Sequence, residues 1–288
     1  MPPFESIDAV GNGTVQMGHG APYYWKGKIA AIQFLSAIPF GLTTQEQNAW
    51  FAIGGGQELA DRIYAELNCK FFCAGSTGAQ MGGWYNREID SIDDFNGLKI
   101  RMPGLGGEVL QAAGATVVTI PGGEIPTAMA SGELDAVDWV GPYNDLAFSL
   151  QSQARYYYYP GWHEPSGPID CFVNLDAWNG LSDELKSVIE VSAHAANQMV
   201  LNEFVARNSD ALQSLVDDHG VDIRRFSDDT LKALAALSID VIDGAIGEDA
   251  MSREVFDSVR GFRAKASAWS DVADLAFLQA RTLSPAWN

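Results

Sequence analysis

The chain has 288 residues, 47% of them hydrophobic and 19% charged, which is enough apolar content for two packed domains and too much for a disordered polymer. Its 37 acidic residues outweigh 18 basic ones to give a net charge of −19, which repels nucleic acid and anionic membrane surfaces and removes both as expected partners. Cys69, Cys73 and Cys171 lack the pairing of a disulfide framework or a zinc site, Met1-Pro2-Pro3-Phe4-Glu5 has no signal-peptide character, and no run approaches the ~18 apolar residues of a membrane span.

In chain order, Pro3 to Val10 reads as a helix entered through prolines, Thr14 to Met17 as a short strand, and Ala30 to Phe40 as an apolar run ending at Pro39-Phe40-Gly41. Thr43-Thr44-Gln45-Glu46 has the spacing of a capping box, so a helix is expected from there to about Ile53, where Gly54-Gly55-Gly56 breaks it. A second helix is expected over Gln57 to Leu67, a strand over Lys70 to Ala74, and a glycine-rich loop over Gly75 to Gly83 that holds Ser76, Thr77 and Gln80.

Gly97 to Tyr143 carries the most information. Apolar runs of strand length at Leu98 to Arg101, Ala115 to Ile120 and Leu134 to Val140 each stop at Gly or Pro, and the intervening stretches have the length of helical crossovers. The expected fold class is α/β with a parallel sheet, and such sheets bind ligands outside the carboxyl ends of their strands. Arg101, Asp138 and Trp139 then flank one crevice. Further on, Tyr156 to Tyr159 and Pro168 to Leu175 read as strands around the loop Pro160-Gly161-Trp162-His163-Glu164. Ser182 to Asp218 reads as one helix long enough to straddle two lobes, Val221 to Phe226 as a strand, and Ser227 to about Leu283 as a helical region.

Each chemical candidate has an ordinary reading beside the functional one. An isolated arginine is most simply a surface ion pair, but Arg101 sits at a strand end before Pro-Gly, where its planar fork suits a carboxylate in a way that a lysine does not. Asp138 and Glu164 would ordinarily be solvated acids; among Trp139, Tyr143, Trp162 and the tyrosine run, an unpaired carboxylate is costly to bury, and a cation is the economical partner. With the Gln80 amide oxygen and the Trp139 backbone carbonyl they make an all-oxygen shell suited to Ca²⁺ or Na⁺. Tyr156 to Tyr159 reads as a packed strand, whereas Trp84 and Trp139, with glycines beside them, are pocket candidates. His19, His163, His194 and His219 show no zinc spacing, Ser76 lies in no nucleophile elbow, and Gly104-Leu105-Gly106-Gly107 misses the dinucleotide order.

These residues resemble the periplasmic solute-binding proteins of tripartite ATP-independent (TRAP) transporters, and within them the branch that binds 2-oxo and 2-hydroxy monocarboxylates. The resemblance is carried by Ile38-Pro39-Phe40-Gly41-Leu42 with Gln47-Asn48-Ala49-Trp50, by Thr77 to Trp84, by Gly97-Leu98-Lys99-Ile100-Arg101, by Asp138-Trp139-Val140-Gly141-Pro142-Tyr143, and by Tyr156 to Trp162. It implies that Arg101 clamps the ligand carboxylate. It also implies that Gln80, Asp138, the Trp139 backbone and Glu164 hold a Ca²⁺ or Na⁺ ion that chelates the carboxylate and the adjacent 2-oxygen, and that Tyr23, Tyr24 and Trp84 wall the pocket. One cation and one arginine then explain how a strongly acidic chain takes an anion.

The implied fold has two lobes that close about crossing strands and the Ser182 to Asp218 helix, with residues 1–98 and 177–217 in the first lobe and 99–176 and 218–288 in the second. Relatives carry a signal peptide and a β-α-β segment ahead of the part that matches Pro3 onward, so the expectation is a periplasmic parent protein of which this chain is a truncated form. Implied partners are a small organic anion and TRAP membrane subunits, with a second copy docked through the C-terminal helices as an option. A metal-dependent enzyme acting on a small carboxylic acid, with Asp138 or Glu164 as base, is the rival from another class, and a sensor's binding subunit is a third reading.

Overall fold

Among residues 1–284, which the computed structural model describes, nine strands form two sheets. They are β1 (Met17–Gly20), β2 (Cys69–Ser76), β3 (Gly83–Tyr85), β4 (Lys99–Arg101), β5 (Thr116–Val118), β6 (Ala136–Val137), β7 (Tyr156–Tyr159), β8 (Pro168–Asn174) and β9 (Asp222–Arg225). The first lobe is built on the antiparallel sheet β1-β8-β2. Helices cover both of its faces, so consecutive residues are buried: Phe71 packs toward Trp50 and Tyr64, and Phe72 toward Trp178 and Ala193. Helix Thr44–Ala52 begins at the expected capping box, Thr43 N donating to Glu46 Oε2 at 2.9 Å and Glu46 N to the Thr43 hydroxyl at 3.5 Å. The strand expected at Thr14 to Met17 lies later, at Met17–Gly20, because Thr14 is occupied in a turn on the Asn12 side chain.

The second lobe is built on a six-stranded sheet of order β5-β4-β6-β3-β7-β9. β4 is parallel to β5 and β6, and helices Gly104–Ala112 and Ile125–Ala130 form the crossovers expected between Gly97 and Tyr143. β6 is shorter than the expected Leu134 to Val140, because past Val137 the Val140 and Gly141 amides turn to the Asp145 carboxylate instead of to a neighbouring strand. The tyrosine run is a packed strand, Tyr157 facing one core and Tyr158 the other.

Two sheet assignments differ from the expected lobe ranges. β3, within 1–98, belongs to the six-stranded sheet, and β8, within 99–176, belongs to the three-stranded one. The chain therefore crosses between the sheets after β2 and again after β7, and the crossing segments hold Gln80 and Glu164. The C-terminal helices are shared between the lobes instead of lying wholly in the second: helix Asp228–Ile246 packs on the second through Leu231, Leu234, Leu237 and Val241, against helix Gly104–Ala112, whereas its end at Ile242 and Ile246, with Val255 and Val259 of helix Ala250–Ser270, lies in the first lobe's core. The buried stripe of helix Ala250–Ser270 packs on the turn Ala30–Leu35 and on helices 44–52 and 56–65, where Trp50 Nε1 donates to Ser258 Oγ at 3.1 Å.

Helix Asp183–Asp217 runs 35 residues under both lobes, with Ala193 in the first lobe's second cluster and Leu215 in the second lobe. No helix among the described residues is long and apolar enough to cross a membrane.

Candidate functional site

Parallel pairing of β4 with β6 puts Arg101 beside Val137, so the next residue, Asp138, emerges at the same strand end, its amide bonded to Arg101 O at 2.9 Å. Ile120, just past β5, completes the edge of the crevice. Arg101 is 1% exposed; its Nε donates to Ile120 O at 3.4 Å, Nη1 to the Asp138 backbone carbonyl at 2.7 Å, and Nη2 to the Tyr24 hydroxyl at 3.2 Å. Each terminal nitrogen keeps a second N–H, enough for the bidentate grip of a carboxylate. Below it lies the Trp139 ring, 5.2 Å from the guanidinium carbon and stacked on Phe148 at 4.9 Å.

Gln80 and Glu164 come from the two crossing segments, which are stitched together by Gln80 N to Glu164 O at 3.1 Å, Gly161 N to Gln80 O at 3.1 Å and Thr77 N to Gly167 O at 2.9 Å. A Cβ at Gly161 would stand 2.3 Å from Gln80 O, so the approach requires glycine. Gln80 Nε2 donates to Thr77 Oγ1 at 3.1 Å, which leaves Gln80 Oε1 buried without a hydrogen bond; both Asp138 carboxylate oxygens and Glu164 Oε2 are in the same condition. The Asp138 pair has only ion-pair contacts, Oδ1 with His163 Nε2 at 2.9 Å and Oδ2 with Arg101 Nη1 at 3.7 Å. No such contact among the described residues compensates Gln80 Oε1 and Glu164 Oε2, a cost that a cation would relieve. All are oxygens, the donor set of a hard ion.

The residue that sequence reasoning passed over is His163. Its Nε2 lies 2.9 Å from Asp138 Oδ1, in ion-pair range but without hydrogen-bond alignment, and Asp138, His163 and Glu164 offer ligand atoms within 4.8 Å of one another. Spacing between histidines gave no hint of it. The available signal was its adjacency to Glu164 in a loop already marked as functional. Helix Gly104–Ala112 comes up against the ring from behind, where a Cβ on Gly106 would stand 2.6 Å from His163 Cβ.

Charge in this closed space is strongly coupled. Burial and then the Asp138 charge push the Glu164 carboxyl up to about 8, against the opposing pull of His163 and Arg101. Burial alone would depress the His163 imidazole, but Asp138 more than offsets this and holds it above its ordinary value. Burial and the Glu164 charge keep the Tyr23 hydroxyl well above its usual range, so it stays a neutral donor facing that carboxyl. A cation among these oxygens reverses the sign for Glu164 and favours its ionised form.

The structure thus gathers Arg101, Asp138, Glu164, Gln80, the Trp139 ring, Tyr23 and Tyr24. Trp84 stands apart: it is fully buried in the second lobe's core, stacked on Tyr157 at 4.0 Å with Nε1 donating to Asp145 Oδ2 at 2.9 Å, because the neighbouring strands β6 and β7 enclose it. The Ile38 to Leu42 motif acts as a bridge between lobes. Phe40, with φ of 55°, donates its amide to Trp162 O at 2.8 Å and stacks on the Trp162 ring at 5.8 Å, immediately before His163.

Two sheets joined by crossing segments, a helix spanning both, and a buried arginine beside unanswered oxygens define a two-lobed solute-binding protein. Residues 2–247 match the family described as DctP, bacterial extracellular solute-binding protein, family 7. The chain belongs to this family, whose members are solute-binding receptors of transporters and not enzymes. It is 42% identical over 277 residues, 96% of this chain and 76% of the other, to a monocarboxylate 2-oxoacid-binding periplasmic protein of Nostoc. Among solved structures it is similar to a TRAP periplasmic solute-binding protein of Colwellia psychrerythraea with bound calcium and pyruvate, at 37% identity and a TM-score of 0.93, covering 96% of this chain and 84% of that one. A protein of the same kind from Pseudoalteromonas atlantica, with bound sodium and pyruvate, matches at 35% identity and a TM-score of 0.93 over 96% and 84% of the two chains.

Proposed function

We propose that this chain is the extracytoplasmic ligand-binding subunit of a TRAP transporter and captures a small 2-oxo or 2-hydroxy monocarboxylate of the pyruvate and lactate class. Arg101 grips the carboxylate through its two remaining N–H groups. Gln80 Oε1, Asp138, the Trp139 carbonyl and Glu164 hold a Ca²⁺ or Na⁺ ion, and the ion supplies the positive charge that the carboxylate and its 2-oxygen share. The single observation that carries this reading is the convergence of an arginine that keeps an N–H on each terminal nitrogen with four buried acceptor atoms on Gln80, Asp138 and Glu164 that receive no hydrogen bond. The ligands named for the similar Colwellia and Pseudoalteromonas structures, pyruvate with calcium or sodium, fit the same chemistry.

Because Arg101, Asp138, His163 and Glu164 are all at most 3% exposed, entry requires the lobes to part. Separation about the crossing segments and the helix Asp183–Asp217 opens the site, and the ligand favours the closed form by its differential affinity for it. Membrane subunits then receive the loaded protein; whether two copies pair through the C-terminal helices is read from solution mass. Calorimetry with pyruvate, lactate and longer 2-oxo acids, before and after chelator treatment, tests the proposal. Tight binding that weakens on chelation, with ligand recovered unchanged, is the expected result; turnover of the ligand or indifference to the chelator overturns it.

A further inference from the structure

Asp145 is a buried carboxylate that the proposed site leaves unused. It is 1% exposed in the short helix Pro142–Ala147, where Oδ2 accepts from the Trp84 indole at 2.9 Å and the Tyr157 hydroxyl at 2.7 Å. Its Oδ1 reaches back to the backbone amides of Val140 at 3.1 Å and Gly141 at 3.0 Å. Burial raises this carboxyl to about 7, although the hydrogen bonds from Tyr157, Trp84 and Val140 oppose the rise, so the fold keeps an acid where desolvation disfavours one.

The Val140 N–H belongs to the peptide group whose carbonyl is that of Trp139. That group is planar and trans, so its C=O points opposite to its N–H, and anchoring one end fixes the direction of the other. A carboxylate on the N–H side also polarises the group and enriches the carbonyl oxygen. We infer that Asp145 is a positioning residue for the cation: through the Val140 amide it aims the Trp139 carbonyl toward the Gln80, Asp138 and Glu164 oxygens and strengthens it as a ligand. The inference rests on the proposed role of the Trp139 carbonyl as one of the cation's ligands.

The next peptide provides a control in the same loop. Gly141 N–H also bonds Asp145, but the carbonyl of its peptide, Val140 O, accepts from Met81 N at 3.1 Å and is committed to the crossing segment. A cation therefore acts on the Val140 amide and leaves the Gly141 amide largely unmoved.

The test combines Ca²⁺ titration of the ¹⁵N-labelled chain by NMR with Ca²⁺ calorimetry on Asp145→Asn and Tyr157→Phe. In the wild-type chain, Ca²⁺ is expected to move the Val140 ¹⁵N resonance downfield, because the preceding carbonyl takes the ion, and its ¹H downfield, because the bond to Asp145 tightens. Asp145→Asn is expected to weaken Ca²⁺ binding about 10- to 100-fold, the usual cost of losing a group that orients a ligand. Tyr157→Phe removes a donor from Oδ2, leaves the amide pair in place, and retains wild-type Ca²⁺ affinity even where its melting temperature falls. Absence of the Val140 ¹⁵N shift overturns the Trp139 ligand reading itself. A ¹⁵N shift without the ¹H shift, full Ca²⁺ affinity in Asp145→Asn, or affinity losses in both variants that simply follow their melting temperatures overturns the Asp145 inference alone. Should Asp145→Asn fail to fold, the ¹H shift in the wild-type chain decides.

Discussion

The two lobes bring different chemistry to one cleft. The six-stranded lobe supplies charge, with Arg101 and Asp138 fixed side by side by a parallel ladder. The three-stranded lobe supplies hydroxyls and shape, with Tyr23 and Tyr24 on the single turn Pro22–Trp25. The strand end is held by main-chain bonds to its neighbours in the sheet; the turn is held by its own backbone bonds, among them Tyr24 N to Ala21 O at 3.0 Å and Lys26 N to Tyr23 O at 3.2 Å, and by Trp25, whose Nε1 donates to the buried Asp170 on β8 at 3.0 Å. Paired charge thus stands on one lobe and neutral hydroxyl contacts on the other, an arrangement that lets a site open without separating Arg101 from Asp138. Substitutions in the charged lobe should accordingly cost affinity directly, and substitutions in the other should cost less.

Arg101→Ala puts the greatest load on this comparison. Removing one partner of a buried, hydrogen-bonded charge pair costs about 2–5 kcal/mol, and calorimetry at saturating Ca²⁺ should show pyruvate affinity falling by that amount. Unchanged binding sinks the clamp. Asp138→Asn comes next: it takes a formal charge from the cation shell, and Ca²⁺ affinity should fall by more than the roughly 10- to 100-fold that orienting groups cost. Pyruvate should weaken in step, and chelation of the wild-type chain should reproduce the loss. If pyruvate binds equally with and without chelator, the cation has no part in recognition.

The charged lobe was also the more legible in sequence. Strands ending at Gly or Pro between Gly97 and Tyr143 located Arg101 and Asp138, because a parallel βαβ unit is written locally, in apolar runs and breaks along one stretch of chain. Thr43 and Glu46 likewise announced their capping box within four residues. What the sequence concealed is long-range. β3 and β8 exchange sheets because the chain crosses between lobes, and no local pattern distinguishes a strand of one sheet from a strand of another. Trp84 looked open beside its glycines, yet its ring is enclosed by partners on β6 and β7 that lie far along the chain. His163 failed every motif test because it meets Asp138 through the fold and not through a spacing.

Protonation tests the segment between the lobes. Glu164, raised to about 8, must lose a proton to take a cation, so Ca²⁺ affinity should rise as pH climbs through about 8, with proton release on binding below it. The stability sign follows from the folded value lying above the unfolded one. Glu164 stabilises the cation-free fold fully below its ordinary value of 4.5, and that contribution is lost as pH rises through about 8; Asp145, raised to about 7, acts in the same direction. Thermal melts across this window should therefore show the cation-free chain losing stability with rising pH while the Ca²⁺-loaded chain loses less. Glu164→Gln should abolish most of the widening; a gap independent of pH in the wild-type chain removes Glu164 from the cation shell.

Tyr24→Phe should have the smallest effect, and it tests the other side of the comparison. The Tyr24 hydroxyl accepts from Arg101 Nη2 at 3.2 Å, so deleting it frees one more guanidinium N–H but leaves the bonds to Ile120 O and Asp138 O in place. The guanidinium keeps its plane, and the loss should be at most that of a single hydrogen bond to a charged group, about 1.5–3 kcal/mol in pyruvate affinity. Because this bond joins the first lobe to the second only in the closed form, the loss should appear mainly as faster ligand release in stopped-flow displacement, with the Ca²⁺ affinity of the ligand-free chain little changed. A loss as large as that of Arg101→Ala would mean that the turn Pro22–Trp25 orients the arginine instead of merely meeting it, and the division between a charged lobe and a shaping lobe would fall.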